Sequence, residues 1–378
     1  MKKIVVISDS FKGTLSSLEI AKIAERSIPE ILPTCQVVGL PIADGGEGTV
    51  DCFVKALGAK QVTVSVTGPY LGTKVDAVYG QWEDCAVIEM AAAAGLPLVG
   101  QKKDPSHTTT FGVGELIAHA VENGAKNIYL GIGGSATNDG GCGCAAALGV
   151  KFYDYADEPF VPVGARLHCI DRIDVSMASE FLRDCRITVM CDVTNPLYGK
   201  QGAAYIFGPQ KGADADEVEM LDQELRYFAS VIGRNLGVSV SDLSGAGAAG
   251  GMGAGCVAFL GAEICPGIET MLTLIGFKDH LRDTDLVITG EGRIDSQSLQ
   301  GKVISGIARC TADAEVPLIV IAGSIDETAA EVYDKGVSAV FSINRKAESL
   351  EISAPKSAEN YENTLKDILR LIRVYVQR

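Results

Sequence analysis

The sequence predicts an α/β protein: a flavodoxin-like or Rossmann-like parallel sheet with a second α/β domain inserted into it. Three observations predict this. Short β-branched runs near the N-terminus lead straight into loops rich in glycine and acids. Helical periodicity follows the first of these loops. The strand-and-loop pattern then returns after residue 285, with a long stretch between. The expected division is 1–75 plus 285–378 as the sheet domain and 76–284 as the insert, with the active site in the cleft between them. A chain of 378 residues exceeds one comfortable core and agrees with two domains.

The elements follow in order. The run from Ile4 to Ile7 is a buried strand ending in Ser8-Asp9-Ser10. Ser16 and Glu19 have the spacing of a capping box, and Leu18, Ala21, Ile28 and Leu32 fall near one helical face. A second strand spans Gln36 to Leu40 and leads to the loop Asp44-Gly45-Gly46-Glu47-Gly48-Thr49. Within the insert, Ala86 to Met90, Ile128 to Leu130 and Ile187 to Cys191 read as strands. Towards the C-terminus, Leu286 to Thr289, Leu318 to Ala322 and Ala339 to Ile343 complete the first sheet.

With 47% hydrophobic and 21% charged residues, the composition is that of an ordinary globular protein. Its 43 glycines exceed the roughly 26 of average usage, and the excess sits in a few loops. The net charge of −15 argues against nucleic acid or an anionic membrane as partner. Any phosphate or carboxylate site must then be built locally, from backbone N–H groups, helix N-termini, a few lysines and a metal. Eleven cysteines, an odd number with no Cys-x-x-Cys pair, fit reduced thiols better than a disulfide framework or a zinc knuckle. The apolar run after Met1-Lys2-Lys3 is too short for a signal peptide, and none approaches the ~18 residues of a membrane span. A cytoplasmic protein is expected. Monomer and homodimer both stay open.

Four loops combine glycines with carboxylates: 44–49, 131–141, 191–196 and 290–295. A fifth, 245–255, is glycine and alanine around one methionine. Bare N–H groups in a glycine loop can converge on phosphate oxygens. Carboxylates beside them suit a Mg²⁺ ion held against that phosphate, or a hydroxyl that must lose its proton. Lys12, Lys211, Arg293 and Lys302 stand beside these loops. Taken singly, a glycine cluster marks a turn, an acid such as Asp44 or Asp139 caps a helix, and Lys12 or Lys302 is a solvated charge. Four acid-bearing loops, each beside an expected strand, point instead to a site for phosphoryl transfer.

Other schemes fit less well. The four histidines, His107, His119, His168 and His280, form no triad or zinc spacing. No P-loop and no protein-kinase signature is present. A dinucleotide oxidoreductase acting on a small hydroxy acid is the sharpest rival. Gly131-x-Gly133-x-x-Ala136 follows a strand, and Asp154 stands where a ribose-binding acid belongs. Against it, Asp139 and two glycines occupy the expected first helical turn. A binding protein that closes on a small acid without reacting needs neither so many carboxylates nor lysines beside them.

Asp9-Ser10-Phe11-Lys12-Gly13, the stretches 41–49 and 131–141, Cys191-Asp192-Val193-Thr194-Asn195-Pro196-Leu197, Phe207 to Ala213 and Thr289 to Gln297 together resemble the bacterial glycerate kinase family. The resemblance runs from residue 4 to about 345. It departs only at Ser16-Ser17 and Ser298, away from the acidic and lysine positions. It implies two α/β domains, ATP, Mg²⁺ and D-glycerate as cofactors and substrate, and a place in glycolate, glyoxylate and aldaric acid metabolism. It favours 2-phosphoglycerate over 3-phosphoglycerate as product. On this resemblance, Asp192 and Lys12 are the expected catalytic residues. Asp44, Gly45, Gly46, Glu47, Ser135, Thr137, Asn138, Asp139 and Arg293 are expected at the substrate. Gly133, Gly134, Lys211, Gly247, Gly250, Gly251 and Gly253 are expected at the nucleotide, and Asp192, Glu291 and Asp295 at the metal.

Overall fold

The computed structural model describes every residue except 12, 44, 47, 295–302, 347, 377 and 378; the side chains of 327–329, 375 and 376 also lie outside the description. The chain divides into two compact units. The first comprises Met1–Asp44, Asp51–Gly58 and Ile268–Arg378, the second Gly45–Val50 and Ala59–Gly267.

The first unit begins with β1 (Lys3–Ser8), whose β-branched run is buried from Ile4 onwards. The helix Ser17–Ile31 follows, started by the expected capping box: Glu19 N donates to Ser16 Oγ and Ser16 N to Glu19 Oε2. Its buried face is Ile20, Ala21, Ile23, Ala24 and Ile28, a stripe rotated slightly from the expected one, since Leu18 is only half-buried. Then comes β2 (Gln36–Pro41).

In the second unit, β3 (Lys60–Thr67) and β4 (Lys74–Trp82) form an antiparallel hairpin, and β4 pairs antiparallel with β5 (Cys85–Glu89). The expected boundary at residue 75 would cut this hairpin. Ladder pairing joins β3 to β4 along its whole length, so the second unit takes up the chain at Ala59. Next come β6 (Asn127–Gly131), the small strands β7 (Lys151–Tyr153), β8 (Pro159–Phe160) and β9 (Arg172–Asp174), then β10 (Arg186–Met190) and β11 (Glu263–Cys265). The main sheet has the order β11-β10-β6-β5-β4-β3, its first four strands parallel. Ile88, Ile128, Leu130 and Val189 pack with Leu116, Ile117 and Met252 in its core. A satellite core gathers Phe152 of β7, Phe228 of the helix Ala215–Leu236, and Phe259.

The stretch 245–255 is not a loop throughout. A helix runs from Ala248 to Leu260, opened by a left-handed turn at Ala249, Gly250 and Gly251. Glycine disfavours helix by about 1 kcal/mol per residue. Close backbone packing, which only glycine permits, outweighs that preference here.

The chain returns to the first unit at Ile268 and completes its sheet with β12 (Leu286–Ile294), β13 (Leu318–Ile325) and β14 (Val337–Ser342). The five strands are parallel, in the order β14-β13-β12-β1-β2. Ile4, Val6, Ile288 and Ile321 pack under the first helix and under Tyr361 and Leu365 of the helix Ser357–Val376. The order reverses between β1 and β12, which makes the carboxyl ends of those two strands a topological switch point.

Candidate active site

At the switch point of the first unit, Asp9 N donates to Gly290 O at 3.0 Å and Ser8 Oγ to the same oxygen at 2.9 Å. Asp9 and Glu291 are both buried there. Asp9 is a site candidate that the sequence reading did not single out; the available signal is that it is the first acid beyond a fully buried strand. Arg293, expected at the substrate, forms an exposed ion pair with Asp326 at 2.9 Å. Lys12, Asp44, Glu47 and Asp295, all expected site residues, lie outside the described residues.

In the second unit, the carboxyl ends of β5, β6 and β10 receive the segment that starts at Gly45. A Cβ on Gly131 would clash with Gly45 O, and one on Gly133 would come within 3.0 Å of Gly46 Cα. Gly45 itself lies over Met190 with φ of +89°. These glycines therefore bring two backbones together. Val50 N then donates to Glu89 Oε1 at 2.7 Å, so the acid that ends β5 anchors this segment. Glu89 also went unpicked by the sequence reading, although it is the acid at the tip of an apolar strand.

Asp192 lies just past β10, after Cys191. Its Oδ1 accepts from Gly267 N at 2.8 Å, a partner 75 positions away in sequence. Asn195 Nδ2 donates to Gln201 O and Asn195 O accepts from Gly247 N, which shapes the loop without touching the carboxylate.

The loop after β6 is closely held. Gly134 turns it at φ of +70°. Ser135 forms a bridge with Gly95, and Ala136 O accepts from Thr108 Oγ1. Thr137, Asn138 and Asp139 are wholly buried. The carboxylate of Asp139 accepts from Thr110 N, Thr110 Oγ1, Gly141 N and Gly143 N, at 2.7 to 3.2 Å. Burial pushes its pKa up, and those four bonds pull it back. Four donors on one buried carboxylate make Asp139 an organiser of the loop.

Lys211, expected at the nucleotide, is 2% exposed, and its Nζ donates to Thr137 O at 2.6 Å. Burial lowers its pKa to about 7, partly opposed by the charge of Asp139. Gly247, Gly250, Gly251 and Gly253 press on the backbone or side chains of residues 196, 137, 140 and 245 respectively. Each is thus glycine for close approach. Asp154 accepts from Ala156 N and Glu158 N in the β7–β8 turn, and the helix after β6 starts only at Cys142. Both observations remove the dinucleotide fingerprint.

Among the described residues, no group of three or more His, Cys, Asp or Glu is arranged to hold a metal. No helix among them is long and apolar enough to cross a membrane. All eleven cysteines are free thiols.

A parallel sheet with a topological switch point, and a second sheet whose parallel strand ends carry glycine loops and anchored carboxylates, define a doubly wound α/β protein. Residues 4–373 match the glycerate kinase family. The chain is 50% identical over 344 residues to glycerate 2-kinase of Escherichia coli, covering 90% of each chain. It is 44% identical over 375 residues to glycerate kinase of Bacillus cereus, covering 98% of each. A solved chain described as glycerate kinase 2 of Salmonella typhimurium is 45% identical, superimposes with a TM-score of 0.89 and is covered in full. The chain belongs to the glycerate kinase family.

Proposed function

We propose that this kinase transfers the γ-phosphoryl of ATP to a hydroxyl of D-glycerate, with 2-phosphoglycerate the favoured product. The observation that carries the reading is the carboxylate of Asp192, set at the end of β10 and oriented by Gly267 N, beside the docked loops of β6 and Gly45–Gly46. A backbone N–H bonded to one carboxylate oxygen fixes the aim of the acid, which is what an acceptor for a hydroxyl proton needs. The glycerate oxygen attacks the γ-phosphorus, the bond from that phosphorus to the bridging oxygen breaks, the proton passes to Asp192, and ADP leaves. The name of the Escherichia coli relative, glycerate 2-kinase, supports the product favoured here.

Mg²⁺ fits the donor chemistry, since Asp192 in the second unit, like Glu291 in the first, offers the hard carboxylate oxygens it takes. It needs only one or two of them beside phosphates and water, so a three-residue protein cage is not required. When bound, the ion offsets charge on the phosphates. Lys12 is the proposed cation at a phosphate or at the substrate carboxylate. The two compact units are taken as the enzyme's two domains, and the free thiols suit a cytoplasmic enzyme.

The test is a coupled ADP-release assay with ATP, Mg²⁺ and D-glycerate, followed by NMR of the product. Phosphorus coupling to carbon two is the expected result. Stabilisation by ATP without turnover of D-glycerate would overturn the acceptor and keep the kinase.

A further inference from the structure

We propose that Asn138 reads the pair of adjacent hydroxyls on the acceptor acid, an inference that rests on the function proposed above. The residue is wholly buried, and among the described residues neither its Nδ2 nor its Oδ1 has a hydrogen-bond partner. Buried side-chain amides in folded proteins are almost always paired, because an unmet donor or acceptor is costly.

The surroundings show that this amide is not slack. Its neighbours on both sides are clamped: Thr137 O by Lys211 Nζ at 2.6 Å, and Asp139 by four donors from Thr110, Gly141 and Gly143. From the other side, Gly250 lies so close that a Cβ there would come within 2.6 Å of Asn138 Cα. Gly140 N donates to Gly250 O at 3.0 Å, which fastens the two segments together. Backbone this well held presents the unpaired carboxamide in a fixed direction. The Thr137 hydroxyl beside it is also buried and without a partner among the described residues.

The chemistry of the partner follows from what is offered. A carboxamide sets one donor beside one acceptor, and two adjacent hydroxyls answer both, each being donor and acceptor at once. An anionic group is a poorer match. The two charges bonded within this stretch, Lys211 and Asp139, are of opposite sign and already engaged. Neutral vicinal hydroxyls on a three-carbon acid remain.

The experiment compares kcat/KM for D-glycerate, lactate and 3-hydroxypropionate in the wild type, Asn138→Ala and Asn138→Asp. Each analogue lacks one hydroxyl, so one of them keeps the reacting oxygen whichever carbon is phosphorylated. A site built to bond a hydroxyl rejects the analogue lacking it by on the order of 10⁴-fold. In both variants that preference should collapse by about 100-fold or more, while KM for ATP moves less than about 3-fold. Asn138→Asp keeps the side chain's size and loses the donor, so it carries the test where Asn138→Ala fails to fold. Equal losses for all three acids, with the preference for glycerate retained, mean that Asn138 only supports the loop and overturn the inference. A wild type that leaves D-glycerate untouched overturns the functional reading first, and this one with it.

Discussion

Replacing Lys211 by methionine removes a buried amine while keeping most of its volume, and the consequence can be worked out from its titration. Burial drops the pKa from 10.5 to about 7. Between those values the unfolded chain binds a proton that the folded chain does not, so stability rises with pH across that window. From pH 7.5 to pH 8.5 the folded amine is mostly neutral and the unfolded one almost fully protonated. The step is then worth about 1.2 kcal/mol of added stability in the wild type. At about 2.1 cal/mol/K per residue, a chain of this length loses about 0.8 kcal/mol per degree near its midpoint, so the gain is about 1.5 °C in Tm. Lys211→Met also loses the bond to Thr137 O, but that shifts the variant by a constant and leaves the slope alone. The buried thiols of Cys142, Cys144 and Cys256, raised by burial, act in the opposite direction at higher pH in both proteins, and so cancel in the difference. Scanning calorimetry of both proteins at pH 7.5, 8.0 and 8.5 reads the quantity directly. A difference in Tm that stays flat across the three values would refute a proton-depleted amine at Lys211.

Three further substitutions test the remaining assignments. Asp192→Asn keeps the shape and the bond to Gly267 N but lacks the charge, so kcat with glycerate should fall by about 10²- to 10⁴-fold while Tm holds. Activity within a few-fold of wild type would remove Asp192 from the chemistry. Gly250→Ala drives a methyl into Thr137 O at a residue with φ of +70° and should cost about 3 kcal/mol or more in urea unfolding. Ser16→Ala breaks the capping box of the first helix and should cost about 1 kcal/mol, with turnover unchanged; a drop in kcat would give that helix start a role at the site.

What the sequence discloses depends on how local the cause is. The strand at β1 and the cap at Ser16 and Glu19 are written in neighbouring residues, and both are found where expected. The hairpin β3–β4 was passed over although Val62, Val64 and Val66 alternate with polar residues, and the domain boundary suffered for it. Asp192 was visible as an acid after a strand, but its anchor lies 75 positions away, and no spacing rule reaches Gly267. Lys211 reads in sequence as a loose cation near phosphate but is buried against Thr137 O. Its true setting had a signal: between Lys200 and Asp214 it is the sole charge, in a run of small and apolar residues.

The same distinction explains the glycine excess and what it means for the site. Glycine clusters in a sequence suggest bare N–H groups wrapped around a phosphate. In this protein Gly131 and Gly133 are glycine because Gly45 and Gly46 lie against them, and Gly250 because Thr137 does. Gly255 presses on Gly140 O, and Gly253 on Gly245 O, in the same way. Side chains at these positions would hold the loops apart, whatever the ligand. The glycines thus act one step back from chemistry: they let loops from distant parts of the chain meet at the ends of β6 and β10. The groups proposed to meet a ligand are the polar side chains carried between those contacts, Ser135, Asn138 and Asp192 among them. This also answers how a chain of net charge −15 can serve anionic substrates. Long-range attraction is not available to it, so recognition falls to short-range hydrogen bonds whose donors are fixed by close backbone packing. Alanine at Gly131 or Gly133 should then damage stability and turnover together, whereas loss of a phosphate cradle alone would raise KM for ATP and leave the fold intact.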